Sequence, residues 1–291
     1  MHDYLRAIGF SNIKKNKDVR DILNLVMLRP TSEYVSSATD EEAVFGEKVK
    51  EFADRMGISV RGEYDESGQF HVGYYFPYFK AKNPTLKDEV TIEKQSDRDA
   101  YAGICDNVKV GVSLIFQLLN MADFIDYTEF HKGSLFYAPM YLIGLSVSGK
   151  VILPLIKTEE DVRRRRDESI NRDRMIAAAR EGDQDAIESL TLEDIDLYAT
   201  ISRRSKKEDV LTIVESYGIA YDQYSIMGNI LSVETVKNSL TEESIYILSL
   251  ECNNLIFDIC INKEDLLGEP LPGRRFRGNV WMQGTVDFMG L

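Results

Sequence analysis

The only tryptophan of the chain, Trp281, stands in the stretch GEPLPGRRFRGNVWMQGTVDF, residues 268–288. Gly268, Pro270, Pro272 and Gly273 are turn formers and predict a tight loop. Arg274, Arg275 and Arg277 follow, in a region otherwise poor in positive charge. Strand alternation then puts Phe276, Val280, Met282, Val286 and Phe288 on one face, with Arg277, Asn279, Trp281, Gln283 and Thr285 on the other. A tryptophan supplies a stacking surface, and guanidinium groups supply forked, charge-assisted bonds. That combination suits a planar ligand, a base or a partner's carboxylate. Arg274, Arg275, Arg277, Asn279, Trp281 and Gln283 are therefore the candidate partner- or ligand-binding set. The plainer alternative is that Trp281 is covered by another element of this chain and the arginines pair with local acids.

Other residues with chemical capacity form weaker patterns. The histidines His2, His71 and His131 belong to no metal-spaced motif. Cys105 with a histidine base would make a nucleophilic pair, but Asp106 beside it disfavours the thiolate. GLSVSGKV, residues 144–151, matches the spacing of a phosphate-binding loop but has Val151 where a hydroxyl is needed, and VILPLI follows where a helix is needed. The aromatic run GYYFPYF, residues 73–79, lacks the basic neighbours of a single-strand stacking platform and reads as buried sheet. No residue is assigned a catalytic role, and no cofactor or metal is expected.

The totals narrow the function classes further. The 291 residues carry a formal net charge of −13, and division at 159 and 209 leaves all three parts net negative. A nucleic-acid partner is disfavoured, because nothing offers a broad footprint for a phosphate backbone. No run of 18 apolar residues exists to span a membrane. Three cysteines, an odd number without C-x-x-C spacing, and the absence of a leader pattern predict a reduced, cytoplasmic chain.

The positioning elements follow from periodicity. Residues 3–10, 18–28 and 41–56 read as helices, the last with Val44, Phe45, Val49, Phe52 and Met56 at helical spacing. ISVRGEY and QFHVGYYFPYF form a hairpin across Asp65–Gly68. EVTIEK reads as a strand, and residues 109–119 as a buried strand or part of a buried helix. MADFIDYT is a short helix, and residues 140–157 are a hairpin around Gly149. Near the C-terminus, strands fall at 222–236, 244–252, 255–262 and 276–288. A two-residue turn at Asn253-Asn254 would pair Cys252 with Leu255, Leu250 with Phe257, Leu248 with Ile259 and Tyr246 with Ile261, giving one apolar face. Shifting the first hairpin by about 104 residues onto this one superposes the turns but reverses the parity of the apolar faces, which favours unrelated hairpins over a repeat.

Between the β parts, Arg163–Arg166 open a charged stretch. Four consecutive helical residues point around most of the circumference, so they form no single basic stripe. Gly182 as a helix stop and Asp183 as the next cap explain AREGDQDAIESL as a corner between helices. AREGDQDAIESLTLEDIDLY, together with GEYDESGQFHVGYYFPYF, YAGICDNVKVGVSLIFQL and INKEDLLGEPLPGRRFRGNVWMQG, resembles a family of uncharacterised bacterial proteins known as a domain of unknown function. The resemblance implies a cytoplasmic bacterial protein and transfers no activity.

These readings give an α+β chain: an N-terminal α+β domain over 1–158, a helical connector over 159–209, and a C-terminal antiparallel β meander over 210–291. The expected function is that of a non-catalytic protein-binding module. The alternative is an anionic-ligand binder or enzyme with a site between the two β parts.

Overall fold

The structure is a computed structural model that describes residues 3–13, 15–35, 44–95, 100–107, 112–130, 133–152, 174–175, 178, 183–185, 213–216 and 222–288. The chain opens with a 3-10 turn, Asp3–Ile8, and helix α1, Asn16–Leu28. Strands β1 (Ser32–Val35), β2 (Val44–Ala53), β3 (Met56–Tyr64) and β4 (Phe70–Phe79) then form a four-stranded antiparallel sheet in that order. Helix α1 lies against β2 and β3.

β2 corrects the helix expected over 41–56. Its apolar residues satisfy helical spacing, but two glycines decide the outcome. A Cβ on Gly46 would sit 2.6 Å from the Tyr64 ring, and one on Gly57 2.0 Å from the Lys50 carbonyl oxygen. Both glycines admit close cross-strand neighbours. The β3–β4 hairpin forms as expected, with Asp65 Oδ1 accepting from the Ser67 and Gln69 amides at 2.8 and 2.9 Å.

The second sheet uses β5 (Leu86–Lys94), β6 (Tyr101–Asn107), β7 (Val112–Leu118), β8 (Leu135–Ile152), β9 (Ile213–Ser216), β10 (Gln223–Lys237), β11 (Ser244–Cys252), β12 (Leu255–Asn262), β13 (Leu266–Leu267) and β14 (Arg275–Val286). Helix α2, Met121–Phe130, follows β7. Residues 112–118 resolve as strand. The hairpin expected around Gly149 is absent: β8 runs unbroken through it, because β14 pairs alongside from Met140 to Ile152. The strands near the C-terminus fall where expected, and every pair across Asn253-Asn254 is as derived. Both turn residues take positive φ, 49° and 62°. Only β10, β11 and β12 run as a meander, since β14 leaves β12 to lie between β8 and β10.

The pairings close two five-stranded rings that share β8 and β14. One ring runs β8-β5-β6-β7-β14, and the other β14-β10-β11-β12-β8. They match ladder for ladder. β7 is parallel to β14 as β12 is parallel to β8, and every other pairing in both rings is antiparallel. The centre of this pseudo-two-fold is the pair Ile143–Gln283. On either side of it, Gly144 pairs Met282 while Gly284 pairs Leu142. Gly144 also pairs Ile259 in parallel, and Gly284 pairs Leu118 in parallel. A repeat of topology therefore exists, in an alignment unlike the 104-residue shift. A Cβ on Gly144 would lie 3.0 Å from Ile259, and one on Gly284 2.8 Å from Phe116, so each glycine lets the parallel neighbour's side chain approach.

A single apolar cluster fills both rings, from Phe116, Met140 and Leu142 to Leu250, Phe257 and Phe276. A second cluster joins the outer face of the rings (Ile143, Leu145, Ile247, Trp281) to Leu5, Phe10, Ile58 and Phe76 of the N-terminal elements. Residues 1–152 and 212–291 thus make one unit, so the N- and C-terminal β parts are interleaved rather than separate. The other unit is 153–211, and the stretch 159–209 read as a helical connector falls inside it. It lies mostly outside the described residues, as do Arg163–Arg166 and Gly182. Within it, Arg174, Met175, Ala178, Gln184 and Asp185 are helical, and Asp183 Oδ1 accepts from the Asp185 amide at 3.0 Å, a helix cap.

Candidate functional site

The polar face of β14 is the outer face of the rings, and it is half covered. Phe276, Val280 and Met282 point into the ring core, as alternation requires. At the covered end, Trp281 is buried against Tyr4 and Phe76, with ring centroids 5.2 and 6.5 Å away. Its Nε1 donates to Asp222 Oδ2 at 2.7 Å. Gln283 is fully buried and donates to the Pro77 carbonyl at 2.8 Å. These two side chains tie the four-stranded sheet and the N-terminal turn to the rings. The exposed member of the set, Arg277, lies toward the other end of β14.

At the open end, Gly273 takes φ +85° and turns the loop into β14. Arg274 Nη1 donates to the Glu269 carbonyl at 2.7 Å, closing the loop on itself. Arg275 is 8% exposed, its Nη1 3.8 Å from the Met227 sulfur. Asn279 is half-buried, and its carbonyl accepts from the Ser146 hydroxyl at 2.8 Å. Arg277 is exposed.

The register surrounds Arg277 with residues that sequence reasoning did not gather. Arg277 pairs Lys150 on one side and Met227 on the other, and Lys150 pairs Leu267. Paired residues share a face, so Leu267, Lys150, Arg277 and Met227 form one row across four strands. Leu267 is 72% exposed, and Lys150 is exposed. Like charges directly opposite each other cost stability. Here two cations stand side by side on a chain of net charge −13. Lys150 had drawn notice only as the lysine of a failed phosphate loop. Nothing local could have joined it to Arg277, since the pairing spans the whole C-terminal half.

The other candidates resolve into structure. Cys105, Cys252 and Cys260 are buried thiols, and Cys252 Sγ donates to the Met227 carbonyl at 3.2 Å. Burial first, then the Asp88 and Asp106 charges, push the Cys105 thiol up to about 12, against nucleophilic use. His71 Nε2 lies 2.7 Å from Asp65 Oδ2 at the exposed hairpin turn, while His2 and His131 lie outside the described residues. Among the described residues, no three His, Cys, Asp or Glu side chains gather into a metal-holding group. None of their helices is long and apolar enough to cross a membrane.

A family model described as "Domain of unknown function, E. rectale Gene description (DUF3881)" matches residues 5–284. The chain belongs to this family. The match runs from the N-terminal turn to near the end of β14, so both rings and the four-stranded sheet fall within the DUF3881 domain. No curated protein and no solved structure matches the chain.

Proposed function

We propose that this DUF3881 member is a non-catalytic protein-binding module that works in a reducing, cytoplasmic compartment. Its contact surface is the row Leu267, Lys150, Arg277 and Met227, with Asn279 at its edge. The observation that carries the reading is the exposed Lys150–Arg277 pair beside a 72% exposed leucine. Such a pair is unfavourable in the isolated chain and becomes favourable against an acidic partner segment that also offers an apolar side chain. Trp281 and Gln283 anchor the covered end of the same strand face. Three buried cysteine thiols fit the compartment.

The test is tagged recovery from the native cell after nuclease treatment, with mass spectrometry of what stays bound. A stoichiometric protein that is retained by wild type and lost from Lys150→Glu/Arg277→Glu, with melting temperature unchanged, supports the reading. Equal retention by both sinks it. A small anionic ligand is the second reading, favoured by the same two cations. It predicts a thermal shift with an anionic metabolite that vanishes in Arg277→Ala. The exposed Leu267 beside the two cations suits a partner segment that also carries an apolar side chain, so the protein partner ranks first.

A further inference from the structure

Lys150 reaches the outer face of the rings through a break in the alternation of β8. Ile143 and Leu145 point outward, while Gly144 and Ser146 pair Met282 and Val280 of the ring core. Strict alternation would turn Val147 and Gly149 outward and Lys150 into the core. β8 instead carries one extra residue, Val147, opposite the consecutive residues Asn279 and Val280 of β14. This bulge reverses the parity, so that Ser148 pairs Asn279 and Lys150 pairs Arg277 on the outer face. The Ser146 hydroxyl spans the bulge, 2.8 Å from the Asn279 carbonyl and 3.0 Å from the Ser148 carbonyl.

The register extends this pair into a small grid. Ser148, Asn279 and Ser225 make one row, and Lys150, Arg277 and Met227 the next. Ser148, Lys150 and Arg277 are exposed, and Asn279 and Ser225 are half-buried. Among the described residues, neither cation has an acidic partner. Adjacent strands lie about 5 Å apart, so one anionic group can touch both cations. A carboxylate carries a single charge and leaves one cation uncompensated. Two carboxylates at alternate positions of an extended segment stand about 7 Å apart, wider than the pair. A phosphoryl group carries nearly two charges and three acceptor oxygens. It matches the guanidinium fork, the ammonium, and the hydroxyl and amide donors of Ser148 and Asn279.

Leu267 is 72% exposed and pairs Lys150 on the side away from Arg277, about 7 Å from the middle of the cation pair. That is the distance from one residue of an extended segment to the next but one on the same face. We infer, resting on the protein-binding reading of this row, that the group it holds is a phosphorylated serine or threonine of the partner, with an apolar residue two positions away seated on Leu267.

Fluorescence anisotropy of a labelled peptide on the full chain tests this. The peptide is alanine-based, with phosphoserine at its centre and leucine two residues to either side. Two companions carry serine or glutamate in place of the phosphoserine. The phosphopeptide should bind roughly tenfold tighter than the glutamate form, and the serine form should not bind. Lys150→Gln, Arg277→Gln and Leu267→Ser should each weaken it, with melting temperatures unchanged. Equal binding of the phospho and glutamate forms overturns the inference, as does no binding of any form. Inorganic phosphate or an oligonucleotide that binds as tightly as the phosphopeptide overturns it too, since the segment then adds nothing. Phosphatase treatment of the cell extract before tagged recovery separates this inference from the reading beneath it. A partner lost after treatment supports a phosphorylated segment. One kept after treatment, yet lost from Lys150→Glu/Arg277→Glu, leaves the protein-binding reading standing and overturns only the phosphorylated group.

Discussion

Arg61 Nε donates to Glu47 Oε1 at 2.6 Å, and the guanidinium is buried between the four-stranded sheet and the rings. The same side chain donates through Nη2 to the Leu119 carbonyl at 2.5 Å and through Nη1 to the Tyr74 hydroxyl at 3.0 Å. It lies over the Phe76 ring at 4.8 Å. Glu47 also accepts from the Ser59 hydroxyl at 2.6 Å. One buried cation therefore couples β2, β3 and β4 to the end of β7. Desolvation opposes the charge, and the Glu47 carboxylate and Tyr74 hydroxyl outweigh it, holding the Arg61 pKa above its ordinary value.

Removing one member of this group strands the other. Arg61→Met should lower unfolding stability by about 3–5 kcal/mol, since Glu47 is left as an uncompensated buried charge. The double variant Arg61→Met/Glu47→Leu should recover part of that loss, because it removes both charges. Urea unfolding of the two single variants and the double checks this. A double variant as unstable as the sum of the singles would show that the charges do not act as a pair.

Trp281 is the sole tryptophan, so its fluorescence reports one junction. Buried against Tyr4 and Phe76, it should emit at short wavelength and resist iodide in the native state. Tyr4→Ala uncovers one side of the ring and should raise iodide quenching while the rings stay folded. Quenching of wild type as strong as that of free tryptophan would place Trp281 on an open surface, as the stacking reading required.

Much of the local structure was legible in the sequence. The Asn253-Asn254 turn fixed the register of β11 and β12 because its two residues tolerate left-handed backbone and a one-residue slip would reverse the apolar face. Asp65–Gly68 worked in the same way. Long-range relations were not legible. β8 reads as a hairpin because Gly149 punctuates it, and the distant β14 pairs alongside straight through that glycine. Trp281 was correctly placed on the polar-patterned face, yet that face is half covered by residues near 4 and 76, which alternation within β14 cannot reveal. The row through Lys150 and Arg277 exists only once β8 and β14 are side by side.

The same turn yields a stability test. Asn253 at φ 49° and Asn254 at φ 62° sit where a β-branched residue is strained. Asn253→Val should cost about 1–2 kcal/mol, the penalty for left-handed backbone in an ordinary residue. Asn254→Gly should be neutral or slightly stabilising, since Asn-Gly is the favoured pair for this turn. Thermal unfolding of both variants measures the difference. Equal stability of Asn253→Val and wild type would mean that the turn does not hold this conformation.

Cys105 connects burial to alkaline behaviour. Its thiol is pushed from an ordinary 9.0 to about 12 in the folded chain, mainly by burial and then by Asp88 and Asp106. The folded value is raised, so the stabilisation is complete below pH 9.0 and is lost as pH climbs through about 12. In that window the unfolded chain gives up the thiol proton first, which pulls the equilibrium toward unfolding. The melting temperature should therefore fall between these limits, and Cys105→Ala should fall less steeply than wild type. Tyrosines also titrate there, so the difference between the two curves is the quantity to read. At pH 8 a thiol-specific reagent should modify Cys105 only after denaturation. Rapid labelling of the native chain at Cys105 would mean a low thiol pKa and an accessible sulfur, and it would reopen the nucleophile reading that its burial argues against.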